Sequence, residues 1–205
     1  AEKSRHRVTR NSETRNRTFY PYGRDKSLLI LGLDISTSIT GYAIVDKDDN
    51  IILNGAWDFR NKRYFPTLMT KAQKIKDALL DLQTEYQIEQ IYIEKSLQSF
   101  RSGFSSAKTL SILSSFNGIV SWLCYDIYGI EPIYLAAPSA RRIYGLKIQR
   151  GQKAKEVVLQ YLVNNEPAFE IEYTRNGNPK PHCYDMADSI VIAKAGYICE
   201  QNSKS

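Results

Sequence analysis

The chain has few of the side chains that bind soft metals. It holds three cysteines and two histidines in 205 residues. His182 and Cys183 are neighbours, but no Cys-x-x-Cys or His-x-x-x-His spacing accompanies them, which argues against a zinc site. Three cysteines cannot all pair within one chain. If Cys183 and Cys199 share a helix they stand roughly 24 Å apart at about 1.5 Å per residue, too far to bridge. Free thiols are therefore expected, and with them an intracellular, reducing compartment. No apolar run approaches the roughly 20 residues of a membrane span. The N-terminal stretch also lacks the apolar centre of a secretory leader. No membrane partner is expected. Internal repeats are absent too, so repeat architectures are excluded.

What is present suits one globular domain. The length allows a full hydrophobic core, and 14 tyrosines make the chain rich in aromatic residues. The charge is uneven. Residues 1–27 carry eight Lys/Arg against three acids, +5 of the total +6, so the remainder is close to neutral. The expected organisation is a basic, flexible arm over 1–27, a folded domain over 28–200 and a short tail over 201–205. Such an arm is either a solvated tail or a segment that seeks phosphate.

The apolar pattern predicts strands at Leu28–Asp34, Gly41–Val45 and Ile51–Trp57, joined by tight polar turns into an antiparallel meander. Pro66 opens a helix to about Tyr86. Further strands follow at Gln90–Glu94 and Pro132–Ala136. A long helix over about Ser105–Tyr128 lies between them. It is apolar on more than one stripe, so burial on two sides is expected, under a second subunit or under another helix of the chain. Two more helices are predicted, over Glu156–Val163 and over about His182–Cys199. This order reads as α/β: a mixed five-stranded sheet, an antiparallel meander plus parallel strands, with helices on both faces.

Asp34 closes an almost wholly apolar strand. A buried carboxylate without a partner is costly, so Asp34 either caps the following turn through the amide of Ser36 or Thr37 or binds a cation. Glu94 closes a second apolar strand in the same way. Asp185 and Asp188 are three apart and share a helix face, where they could equally serve as dipole-favoured acids near a helix start. If the two strands are neighbours and the last helix crosses them, the four acids converge. Carboxylates so close repel and take up protons unless cations intervene. Between residues 138 and 155 stand Arg141, Arg142, Lys147, Arg150, Lys153 and Lys155, with no acid among them. A basic patch of this density suits phosphate binding. Arg60, Lys62, Arg63, Arg101 and Lys108 extend the basic surface.

Gly32-Leu33-Asp34-x-Ser, Ile93-Glu94 and Asp185-Met186-Ala187-Asp188-Ser189 together resemble the acid motifs of RuvC-type Holliday junction resolvases, nucleases of the RNase H-like fold. Pro138-Ser139-Ala140-Arg141-Arg142, then Gly145, then Gly151 to Val158, looks like that family's basic segment. The resemblance covers about residues 28–199. It implies a homodimeric endonuclease that nicks two opposed strands of four-way junction DNA, with two Mg²⁺ per site and Mn²⁺ as a substitute. Asp34, Glu94, Asp185 and Asp188 fall on the family's metal-binding acids. Lys155 falls on a lysine near the scissile phosphate. Arg142 stands near a second family lysine. Where the family often has an aromatic just after its strand acid, this chain has Leu97, with Phe100 and Phe104 further on. Phe100 and Arg101 are thus expected DNA contacts beside the basic segment. Two other readings remain at this stage. One is an RNase H-like nuclease for other branched DNA or RNA–DNA hybrids. The other is an actin- or sugar-kinase-like ATP-binding protein, whose phosphate loop also reads Gly-x-Asp-x-Ser-Thr.

Overall fold

A computed structural model describes residues 13–17, 28–95 and 107–203. The meander forms as expected. Strands β2 (Leu29–Asp34), β3 (Ile39–Val45) and β4 (Ile51–Asp58) pair antiparallel. Strand β5 (Ile88–Glu94) lies parallel to β2, and β6 (Ile133–Leu135) lies parallel to β5. These are the five expected strands. A sixth, β1 (Glu13–Arg17), comes from within the basic arm and pairs antiparallel with β4 at the sheet edge. The sheet order is β1-β4-β3-β2-β5-β6. The pattern of the arm does not announce this strand. Its residues are mostly polar and charged, as edge strands often are.

Side chains alternate between the two faces of each strand. Leu29, Leu31, Leu33, Ile91 and Ile93 point to one face, where they meet helices α1 (Leu68–Glu85) and α2 (Ala107–Tyr128) through Ile75, Leu79, Phe116 and Val120. Ile30, Ala43 and Tyr92 point to the other, where Met186, Ala187, Ile190 and Ala193 of helix α5 (Pro181–Ser203) cover them. Leu33 is in register with Ile93, so Asp34 and Glu94 each follow by one residue and emerge together on the α5 face.

Two glycines set how closely α5 lies on the sheet. A Cβ on Gly32 would stand 2.5 Å from the Ser189 carbonyl oxygen and 2.6 Å from the Ala193 nitrogen. A Cβ on Gly41 would collide with the backbone carbonyl of Asp185. Gly41 is the register partner of Asp34. The same close approach that seats the helix therefore brings its acids to the strand end. A buried polar knot holds the other side of α5. Lys194, 2% exposed, pairs with Glu166 at 2.8 Å and with Asp49 at 3.1 Å. Glu166 also accepts a hydrogen bond from the Tyr144 hydroxyl at 2.6 Å.

The basic segment contains a helix that the sequence reading treats as irregular. Helix α3 (Ala137–Ile143) opens with Pro138 in its first turn and carries Arg141 and Arg142 in its last. Both placements suit a helix, but seven residues are too few to show a period. Helix α4 (Ala154–Asn165) follows. Helix α2 buries Phe116, Val120, Leu123 and Cys124 on one side only. Trp122 is 58% and Tyr125 is 56% exposed, so among the described residues no helix of this chain covers the second side. By length and mean hydropathy α2 is also long and apolar enough to cross a membrane, although serines and Asn117 interrupt its apolar residues.

Candidate active site

Three carboxylates converge where the strands end beneath α5. Asp34, Glu94 and Asp188 offer oxygens that all lie within 4.8 Å of one another. Asp188 is 3% exposed and Asp34 is 9% exposed. Asp34 does not cap its turn through Ser36, because the Ser36 amide donates to Thr40 Oγ1 at 3.3 Å. Ser36 Oγ in turn accepts from the amides of Ser38 and Ile39. Hydroxyls of the turn thus take up the amides of Ser36, Ser38 and Ile39, and Asp34 faces the other acids.

Burial and mutual repulsion govern their charge. Burial, then Glu94 and Asp188, push the Asp34 carboxyl well above the ordinary carboxylate range. Burial and the nearby Asp188 push Glu94 up to about 7. Asp185 is raised as well, mainly by burial, with Lys155 working against the rise. Such a group of acids is short of positive charge.

Two cations from the basic segment supply part of it. Lys155 Nζ lies 3.2 Å from Asp185 Oδ1 and 3.3 Å from Asp188 Oδ2. Arg141 Nη2 donates to Asp188 Oδ1 at 3.2 Å. Burial works against the charge on Lys155, but Asp34, Asp185 and Asp188 outweigh it and hold the ammonium above its usual range. Asp185 stands outside the close triad and joins it through Lys155.

Solved structures share this arrangement of strands and helices. Thermus thermophilus RuvC in complex with Holliday junction substrate superposes with a TM-score of 0.60 at 13% identity, over 86% of this chain and 97% of that one. A second T. thermophilus RuvC structure gives 0.56 at 14% identity, over 85% and 97%. The yeast mitochondrial Holliday junction resolvase Ydc2 gives 0.55 at 16% identity, over 85% and 80%. No protein-family model matches the sequence, and no curated protein matches it in a sequence search.

The fold is RNase H-like, the fold of these RuvC structures.

On that RNase H-like frame, the four predicted acids come to one end of the sheet together with Lys155. Arg141, expected as a DNA contact, turns inward to Asp188, and its side chain is only 15% exposed. Arg142 in the last turn of α3 is exposed, as are Lys147, Arg150 and Lys153 between α3 and α4. Lys153 pairs with Glu156 at 3.0 Å. Phe100 and Arg101 lie outside the described residues, as do Leu97 and Phe104.

One feature beside the acids is absent from the predicted site. Arg60 grips Asp58 through Nε and Nη2, and Asp58 also accepts from the Arg60 amide. Asp185 and Arg60 each stabilise the other's charged form. The only signal in the sequence is an Asp-x-Arg at a strand end, which points to no chemistry until the strand order places it next to α5.

Proposed function

We propose that this chain is a metal-dependent endonuclease that resolves four-way DNA junctions by paired, symmetric nicks. The observation that carries the reading is the convergence of Asp34, Glu94 and Asp188 within 4.8 Å at a buried strand end. The donors are hard carboxylate oxygens, and burial raises two of the three, so the set fits a small divalent cation such as Mg²⁺. Asp34, Glu94, Asp185 and Asp188 would hold two such ions. When bound, they polarise the phosphoryl group, lower the pKa of the attacking water and stabilise the leaving 3′ oxygen.

The protein groups have separate tasks in this reading. Lys155, with its side chain 53% exposed, can turn from the carboxylates to the phosphate being cut. Arg141 is more buried and stays with Asp188, fixing that carboxylate's orientation. The exposed Arg142, Lys147, Arg150 and Lys153 line a phosphate track leading to the acids. The RuvC structure with its Holliday junction substrate supports a junction as the DNA form. A homodimer would present two such sites to the two strands of a two-fold junction. Cys124, Cys183 and Cys199 are all free thiols, which suits a reducing compartment.

The test uses labelled four-way junction, linear duplex and RNA–DNA hybrid, each with and without Mg²⁺. Junction cleavage that requires Mg²⁺ is expected. Asp34→Asn and Asp188→Asn should lower it by at least about a thousandfold, roughly 4 kcal/mol of barrier, while junction binding persists. Full cleavage by either variant would remove the mechanism. Cleavage of the hybrid alone would keep the chemistry and replace the substrate.

A further inference from the structure

The turn that follows β4 is built unlike a solvated loop. Phe59 and Phe65 bracket it, both buried, with ring centroids 5.3 Å apart in an edge-to-face pair. Between them Arg60, Asn61, Lys62, Arg63 and Tyr64 are all exposed. Asn61 fixes the backbone. Its carbonyl accepts from the amides of Tyr64 and Phe65, and its side-chain oxygen accepts from the amide of Arg63. Arg60 is committed to Asp58. Lys62, Arg63 and Tyr64 make no side-chain bond to any described residue, so the local fold does not need them. Tyr64 is 46% exposed.

The turn also has a defined address. The Phe59 amide donates to the Ser38 carbonyl at 2.7 Å, and Lys71 Nζ donates to the carbonyl of Thr37. Both acceptors belong to the turn that begins just after Asp34. Across the sheet end, Asp58 and Arg60 at β4 come first, then Asp185 over β3, Asp34 on β2 and Glu94 on β5. Arg141 follows from the segment after β6. The acids therefore lie between Arg141 on one side and Arg60, Lys62, Arg63 and Lys71 on the other, with Lys155 seated on Asp185 and Asp188. Residues 58–71 contain those four cations and a single acid, Asp58.

We propose that the 60–64 turn with Lys71 is a second nucleic-acid contact, a phosphate track that takes the DNA strand on the β4 side of the acids. Lys62 and Arg63 pair with successive backbone phosphates, and the Tyr64 ring receives an unstacked base. Interleaved cations and an exposed aromatic on a rigid turn suit a strand with exposed bases more than an acidic peptide. The inference rests on the nuclease reading for the identity of the ligand, but its test does not use cleavage.

Binding of a fluorescent four-way junction is measured in EDTA between 50 and 200 mM salt. Each phosphate contact contributes a slope of about 0.9 in log affinity against log salt. Lys62→Ala/Arg63→Ala should reduce the slope by nearly two and weaken binding about tenfold or more. Tyr64→Ala should weaken it about fivefold or more, since base stacking contributes about 1–3 kcal/mol, and leave the slope unchanged. Lys47→Ala removes a positive charge at the opposite end of the β3–β4 pair and should bind nearly as wild type. Wild-type affinity and slope in the Lys62/Arg63 variant would overturn the proposal, including the case in which the turn serves a protein partner. A wild-type chain that binds no DNA would overturn the nuclease reading with it.

Discussion

Glu94 costs the metal-free protein stability. Burial, then the neighbouring Asp188, push its carboxyl up to about 7 in the fold, from 4.5 for an ordinary glutamate. Between those values the native state keeps a proton that the unfolded chain has released, so folding stability falls as pH rises. The loss grows across this range and levels off once the native carboxyl has also released its proton. Asp34 is raised too and contributes in the same direction. Glu94→Gln should therefore be more stable than wild type in EDTA, by a margin that grows from pH 4.5 to 7. Urea unfolding across that range measures it, and a margin independent of pH would refute the account. Added Mg²⁺ should stabilise the wild type, by about 2.7 kcal/mol at a hundred times its dissociation constant, and stabilise the variant less. Single residues of this kind were legible in the sequence because Asp34 and Glu94 each end an apolar strand. Arg141 was not. Its contact with Asp188 spans 47 residues, and nothing local separates it from Arg142, which is exposed.

At the scale of elements, the acids meet because α5 can lie directly on the backbone of the sheet. Gly41 is the tightest point, since a methyl there would overlap the Asp185 carbonyl, and a helix backbone cannot turn aside as a long side chain can. Gly41→Ala should destabilise the protein by at least about 1–3 kcal/mol, the usual cost of overpacking. It should also displace Asp185 from Asp34 and weaken Mg²⁺ binding, as read by calorimetry on the folded variant. Unchanged stability and metal affinity would show that the close approach is dispensable. The antiparallel meander was readable from apolar runs broken by polar turns, whereas the adjacency of β2 and β5 entered the sequence reading only as a condition for the acids to converge. The crossing of α5 was a condition of the same kind, and the close approach at Gly32 and Gly41 supplies it. Strand β1 and helix α3 were not readable. Each is too short for periodicity, and each is held by a neighbour distant in sequence: β4 for the strand, α5 for the helix.

At the scale of the molecule, the proposed paired cleavage calls for a second copy, because the carboxylates of the described residues form one site and a junction offers two strands. We propose helix α2 as the face for that second copy. Ser111, Ser115, Gly118, Trp122 and Tyr125 recur at helical spacing and are all exposed. Small residues at one end of this stripe permit close backbone approach, and two large aromatics at the other supply buried area. A monomer gains nothing from exposing Trp122 there. A two-fold axis through this face would pair the stripe with its own copy and fix the separation of the two acid clusters. Trp122→Glu should therefore shift sedimentation from dimer to monomer, weakening association at least about thirtyfold if Trp122 contributes the 2 kcal/mol of an interface hot spot. On a cruciform plasmid the wild type should yield linear product from two nicks in one encounter, whereas the variant should accumulate nicked circles. A wild type that is monomeric at micromolar concentration and still produces linear product first would mean that α2 is covered by something other than a second copy, and that one chain makes both cuts.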